Sequence, residues 1–451
     1  MTAAAIHARD SRPTTRRDAE VLVVGAGAAG VAAAVTAARQ GLDVLMVERY
    51  GFCGGGAVAG LSGTVCGLYE STSDPAAPPR QLVYGFADEF VRALDARGGA
   101  TAPVRYGRTW TRVHDPLVWR EAADALVRAA GVRMLFHATV TEVLVDGGER
   151  VEGVVANAKQ GRIEIRAKLV VDASGDADVA AMAGFGTFVG LDGRVQNPTM
   201  IFRLQGVDIA RFLAAHGDDS ILPERIGRQI AESNRSGAYR LPRTKVFLFP
   251  TPRPGELLCN ATRVLGADGR ELDPLDSDDI TEAEIEGRRQ AREYARFFRD
   301  HLPGCEASWI NDTGVQAGTR QTRQLAAVQT LTNDDVVGAV KRRDGVARSP
   351  WPIELHSGEK PRLVWLERDF YEVPYDAFVP VRGAGLVVAG RCLAAEHEAM
   401  ASARVTAQCF SYGHAIGHAA AIAVRERVEP RAIPGAGLRE RLNRDGAALD
   451  A

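Results

Sequence analysis

The chain has 451 residues, a net charge of -2, 46% hydrophobic and 25% charged residues. That length allows two or three domain-sized units of ordinary folded composition, and the near-neutral charge gives no electrostatic basis for binding nucleic acid or an anionic membrane. Six scattered cysteines form no C-x-x-C pair, so neither a metal site nor a disulfide framework is signalled. No apolar run free of glycine and charge reaches the roughly 18 residues a membrane span needs, and a cytoplasmic, reduced protein is expected.

Residues 1–18 are polar, carry Arg16-Arg17 and read as a disordered tail. The apolar run Val21 to Val24 then leads into Gly25-Ala26-Gly27-Ala28-Ala29-Gly30. An alanine-rich helix and a second apolar run, Val44 to Val47, end in Glu48. This is a βαβ unit built for a dinucleotide. Gly25 permits the tight turn, Gly27 lets a pyrophosphate approach, and Gly30 lets helix and strand pack closely. The helix N-terminus offers unpaired N–H groups to phosphate, and Glu48 stands where an acid binds ribose hydroxyls.

Arg49 to Ala57 holds Gly54-Gly55-Gly56, a loop suited to wrap the second half of a long cofactor. Helices are predicted over Gln81 to Arg97 and Asp115 to Ala130, the second with Asp115 as N-cap and Pro116 in the first helical position. A meander of strands follows from Val132 to Ala167, with a hairpin turn at Asp146-Gly147-Gly148. Leu169 to Asp172 is a buried strand leading into Ala173-Ser174-Gly175-Asp176. The segment 187–363 differs in character, with β-rich runs at Met200 to Leu204, Lys245 to Phe249 and Leu257 to Val264. A charged helix is predicted over Thr281 to Leu302. Leu386 to Gly390 returns as a buried strand, Ser402 to Val424 is largely helical through Gly413 and Gly417, and a short helix ends the tail.

Six separated motifs run through residues 20–449. They are Val23 to Gly30 with Glu48; Glu48 to Gly60, E-R-Y-G-F-C-G-G-G-A-V-A-G; and Val171 to Asp176, V-D-A-S-G-D. Next come Thr281 to Gln290 with Gly318 to Arg323, G-T-R-Q-T-R; Val388 to Arg404; and Gly413 to Gly417, G-H-A-I-G. With these the chain resembles the FAD-dependent oxidoreductase family of the glutathione-reductase-like flavoprotein superfamily. The resemblance implies an α/β fold: a Rossmann-type FAD-binding domain with parallel sheet and β-meander, plus an inserted α+β substrate or cap domain. It divides the chain into an FAD-binding part over 19–186 with an insertion at 68–114, a cap over 187–363, a returning FAD-binding part over 364–428, and a tail over 429–451. Cys53, Gly56 and Val58 stand where relatives usually carry Leu, Met and Thr, and His414 stands where Gln is common.

The resemblance implies FAD, and one G-x-G-x-x-G leaves no second Rossmann unit for a nicotinamide. Cofactor contacts are expected at Gly25, Gly27, Ala28, Ala29, Gly30, Glu48 and Arg49, and in the glycine loop at Gly54, Gly55 and Ala57. Further contacts are expected at Val140, at Asp172 and Gly175, at Gly390 and Arg391, and at Ala415 and Ile416. The helix after Gly413 is expected to aim its N–H groups at the flavin pyrimidine end. Arg320 either holds an anionic substrate group or makes a salt bridge with nearby acids; for Arg323 the salt bridge is favoured. His397 either removes a proton during oxidation or hydrogen-bonds backbone or phosphate. Cys53 and Cys66 lack the close spacing of a redox pair and read as small buried residues.

The expected activity is that of a dehydrogenase or oxidase moving a hydride from a small organic metabolite, anionic if Arg320 holds it, to flavin N5. Oxygen or an external carrier would accept the electrons. The alternatives are a flavin monooxygenase using external NAD(P)H and oxygen, and a redox-inactive or electron-transfer flavoprotein module. Assembly into a homo-oligomer stays open.

Overall fold

The structure is a computed structural model describing residues 14–147, 149–356 and 361–450. Its central sheet begins earlier than the sequence pattern suggests. Strand β1, Thr15–Val24, starts inside the expected tail. Arg16, Arg17 and Asp18 are exposed, so burial does not mark them. They are held by a parallel ladder that pairs Thr15 with Ile163 and runs to Val24 with Asp172. Residues 1–13 of the expected tail lie outside the described residues.

Helix α1, Ala28–Arg39, and strand β2, Val44–Val47, complete the βαβ unit. Strands β3, Arg133–Leu135, β4, Thr139–Asp146, β5, Arg150–Ala158, and β6, Gly161–Asp172, follow. The expected hairpin does join β4 to β5, although Gly148 of its turn lies outside the described residues. The sheet order is β3-β2-β1-β6-β5-β4, and the returning strand β11, Leu386–Val388, also pairs with β6. Twelve residues let β6 serve two neighbours along the edge opposite β1. Its first part pairs antiparallel with β5, and Val170 to Asp172 pair in parallel with β11.

The registers place the carboxyl ends of the parallel strands along one edge. Val24 is level with Val47 and Asp172, and Asp172 with Val388. That edge is where open α/β sheets bind ligands.

Helix α3, Thr406–Glu426, packs on α1. The contact is too close for side chains. A Cβ on Gly413 would lie 2.1 Å from the Ala29 carbonyl oxygen, and one on Gly417 2.5 Å from Thr36 Cβ. Gly413 therefore sits inside the helix as a packing residue, and the helix start expected there is found at Thr406. The continuous helix expected from Ser402 is broken, because a separate helix, His397–Ala403, precedes it.

A second, antiparallel sheet has the order β8-β9-β7-β10, where β7 is Phe202–Gln205, β8 Phe247–Pro250, β9 Glu256–Asn260 and β10 Trp309–Thr313. The long helix α2, Ser277–His301, buries Tyr294, Phe297 and Phe298 in the same core as Phe202. Under this sheet Arg203 and Glu256 form an ion pair at 2.6 Å with both side chains fully buried. Thr251 and Asn311 also donate to the Glu256 carboxylate, which such burial requires. No described helix is long and apolar enough to cross a membrane.

The two sheets are joined through Asp115. As predicted, it caps the helix Pro116–Ala129, accepting from the Leu117 and Val118 N–H groups. It also pairs with Arg253 at 2.6 Å. Removing the cap costs about 1 kcal/mol and loss of this half-buried pair about as much again, so Asp115→Ala is expected to destabilise by about 2 kcal/mol. Thermal unfolding checks this; an unchanged Tm would refute it.

Candidate active site

A cavity of about 620 Å³ runs from the glycine turn at the sheet edge to the antiparallel sheet. Its first end is backbone. Gly25 has φ +97°, and a Cβ there would lie 2.4 Å from the Ala173 carbonyl oxygen. Gly27 is the N-cap of α1, with no side-chain cap and no acidic residue in the first turn. The partial positive charge of that helix end is thus left to the cavity. Gly54 donates its N–H to the Ala26 carbonyl at 2.8 Å, and a Cβ on Gly55 would come within 3.0 Å of Gly27 Cα. The two glycine segments therefore lie back to back.

Glu48 lines the cavity and ties these parts together. Its carboxylate accepts from the Ala26 N–H at 2.8 Å and the Tyr50 N–H at 2.9 Å. Ala28, Ala29, Arg49, Ala57, Gly175, Gly390 and Arg391, all named above as candidate contacts, also line the cavity.

Six expected site residues do not reach it. Gly30 has the packing role read from its position: a Cβ would sit 1.9 Å from the Gly25 carbonyl oxygen. Val140 lies in β4, at the sheet margin away from the cavity. Ala415 and Ile416 are buried in α3 beyond Gly413; the helix meets the cavity at Val405, Thr406 and Cys409. Asp172 is a capping residue. Its carboxylate accepts from Ser174 N–H and O–H and from the Val179 and Ala180 N–H groups. The acid of this motif that faces the cavity is Asp176, bound by Arg391 at 2.8 Å and Thr322 at 2.7 Å. Burial pushes its carboxyl up, but Arg391 and the Thr322 hydroxyl outweigh this and hold it below the usual range.

His397 is the sixth. It is the first residue of the helix His397–Ala403, outside the cavity, and its Nδ1 is buried without a partner among the described residues. Arg323 is paired with Asp178, the structural role favoured for it. All six cysteines are free thiols; Cys53 is buried outside the cavity, and burial raises the Cys66 thiol to about 12.

The far end of the cavity is walled by Tyr106, stacked on Phe249 at 5.6 Å, and by Trp351. Between them lies a charged cluster. The strand Ile353–Leu355 and the residue after it supply Glu354 and His356, two positions apart and so on one face. His356 Nε2 is 3.1 Å from Glu354 Oε1, and the Tyr106 hydroxyl donates to the same oxygen at 2.5 Å. Arg320 donates to the Asn197 carbonyl at 2.7 Å, and Arg404 reaches Gln196 and the Glu354 carbonyl. Among the described residues neither arginine forms an ion pair, and Arg404 Nε has no partner. Arg243 lies buried behind them.

Two buried guanidiniums, Arg320 and Arg243, and the half-buried Arg404 thus stand around one carboxylate. Burial, then the charges of Arg404 and Arg243, press the Arg320 pKa well below its usual range. Burial and Arg320 press His356 well below 6.5, so the ring is neutral. Glu354 stays ionised: burial opposes this, but His356, then the Arg404 charge and the Tyr106 hydrogen bond, prevail. Neutral His356 then donates Nε2–H to Glu354 and keeps the Nδ1 lone pair available. Of this cluster the sequence reading named only Arg320. The alternation Glu354-x-His356 in a strand was the available signal for two others.

The family model described as FAD dependent oxidoreductase matches residues 20–442. A comparison with curated proteins returns no match. Among solved structures the chain is similar to a geranylgeranyl bacteriochlorophyll reductase-like protein from Thermoplasma acidophilum, with 14% identity over 95% of this chain and 83% of that one and a TM-score of 0.50. It is also similar to p-nitrophenol 4-monooxygenase from Pseudomonas putida DLL-E4, with 12% identity over 97% and 88% of the two chains and a TM-score of 0.49. At these identities the first likeness is one of fold.

Proposed function

The chain belongs to the FAD dependent oxidoreductase family, and from that premise we propose that it oxidises a small organic substrate carrying an anionic group. The observation that carries this reading is the excess of buried guanidinium charge at the far end of the cavity. An anion entering there relieves the repulsion among Arg320, Arg404 and Arg243, and the two that line the cavity, Arg320 and Arg404, offer it planar guanidinium donors.

Bound FAD supplies the two-electron redox chemistry. The uncapped start of α1, the Gly54-Gly55 backbone and Glu48 would hold its phosphate and ribose groups, since these are the donors and the acid that face the cavity. Arg391 with Asp176 and the start of α3 at Thr406 would flank the remainder. Arg320 and Arg404 bind and orient the substrate anion. His356 takes, at Nδ1, the proton that the substrate releases as it is oxidised. Glu354 fixes the ring tautomer and Tyr106 fixes Glu354. Trp351 and Phe249 keep water from this end.

The FAD-loaded protein, held anaerobic, is to be mixed with hydroxy and amino acids and with their methyl esters while flavin absorbance is followed. Acids bleach the flavin and esters do not. Arg320→Ala loses about 2–3 kcal/mol of anion binding, a rise of roughly 30–150-fold in half-saturating substrate. Equal bleaching by esters, or an unchanged Arg320→Ala, rejects the reading. Bleaching by NAD(P)H alone, with oxygen then consumed only in the presence of an organic substrate, replaces it with a monooxygenase.

A further inference from the structure

We propose that His414, His418 and Asp445 form a binding site for a borderline divalent cation, Zn²⁺ foremost, that fastens the C-terminal tail to α3. His414 and His418 are four residues apart on one face of the helix, with side chains 5% and 7% exposed. Asp445 follows the helix Gly435–Arg444 and comes back over them. Its Oδ2 is 2.8 Å from His414 Nε2 and 2.9 Å from His418 Nε2, and the three ligand atoms lie within 4.8 Å of one another. Tetrahedral ligands about 2.1 Å from a cation stand about 3.4 Å apart, so each contact opens by about half an ångström to admit the ion.

The chemistry selects the ion. Two imidazoles at helix spacing with one carboxylate suit Zn²⁺, Co²⁺ or Ni²⁺, whereas Mg²⁺ and Ca²⁺ prefer all-oxygen shells. Each histidine would give its Nε2 lone pair and carry its proton on Nδ1. Asp445 is more than half exposed, so the open side of the site leaves room for water ligands. The surrounding backbone is shaped to the rings: Gly85 has φ +68°, and a Cβ there would lie 2.9 Å from His414 Nδ1. None of the three residues lines the cavity, so the site is separate from the proposed chemistry. Cysteine spacing gave no sign of it because its ligands are histidine and aspartate.

The test uses FAD-loaded, chelator-treated full-length protein. Zn²⁺ is expected to raise Tm by several degrees where equal Mg²⁺ or Ca²⁺ does not, and Co²⁺ to give visible d–d absorption. Asp445→Asn and His418→Gln are expected to weaken Zn²⁺ binding by at least roughly 10–100-fold in calorimetric titration. Flavin content reports that the variants are folded, and Asp445→Asn, more than half exposed, keeps the test usable if the buried substitution does not fold. Wild type showing no Zn²⁺-specific shift, or Asp445→Asn and wild type titrating alike, overturns the site and leaves a carboxylate accepting two imidazole N–H bonds.

Discussion

Replacing His356 by asparagine is expected to slow anaerobic flavin reduction by substrate about 10³-fold, within the range that a positioned base contributes. Substrate affinity should change little, because the anion is held by Arg320 and Arg404. Glu354→Gln, which leaves the ring present but poorly oriented, should cost less, about 10-fold to 100-fold. The pH dependence separates a base from a packing residue. His356 is held well below 6.5 by burial and by Arg320. In the free enzyme it is already neutral at neutral pH, so kcat/KM should stay flat as pH falls through 6.5 and drop only at lower pH as the ring protonates. A bound anion offsets the Arg320 charge and raises the ring pKa. The acid limb of kcat should therefore lie at higher pH than that of kcat/KM. Rapid-reaction absorbance at several pH values measures both. A wild-type rate in His356→Asn, or coincident limbs, would remove His356 from the mechanism.

Gly30→Ala is expected to remove FAD binding and destabilise the apoprotein by more than about 4 kcal/mol. The new Cβ would sit 1.9 Å from the Gly25 carbonyl oxygen, a backbone atom that cannot move without shifting β1. Gly27→Ala makes the contrast. Its Cβ would meet nothing closer than Gly55 Cα at 3.9 Å, so the apoprotein should melt as wild type. It should lose FAD affinity all the same, because the methyl group enters the space that the phosphates need. Flavin content and apoprotein Tm of the pair check the assignment. Equal Tm losses in both variants would show that Gly27 is a packing residue as well.

The cofactor end of this protein was largely legible in the chain. Glycine spacing, a preceding apolar strand and a following acid are local demands of the backbone, and local demands leave local patterns. Gly25, Gly27, Glu48, Gly54 and Gly390 accordingly line the cavity. Asp172 misled because a motif acid can serve the motif itself; it caps its own following helix, while Asp176 faces the ligand space. Gly413 misled in another way. A glycine inside a helix reads as a start when its true partner, the Ala29 carbonyl, is far away in sequence. The real start at Thr406 follows Val405, which has no capping side chain and leaves no signal.

The chemical end was not legible for a different reason. Tyr106, Arg320, Glu354, His356 and Arg404 come from four separate stretches, and only packing of the second sheet against the first brings them together. His397 had the better local context, directly after a motif, yet its helix turns it away from the cavity.

The glycine face of α3 and the alanine face of α1 lock into a single strut. One end of each helix opens on the cavity, so the two poles of the ligand space cannot move independently. Loading the cofactor then orders little of the chain, and contact energy goes into affinity with small loss to conformational entropy. The heat-capacity change on binding should reflect buried surface alone, without a folding contribution. The amides of both helices should exchange slowly with solvent before the flavin arrives as well as after.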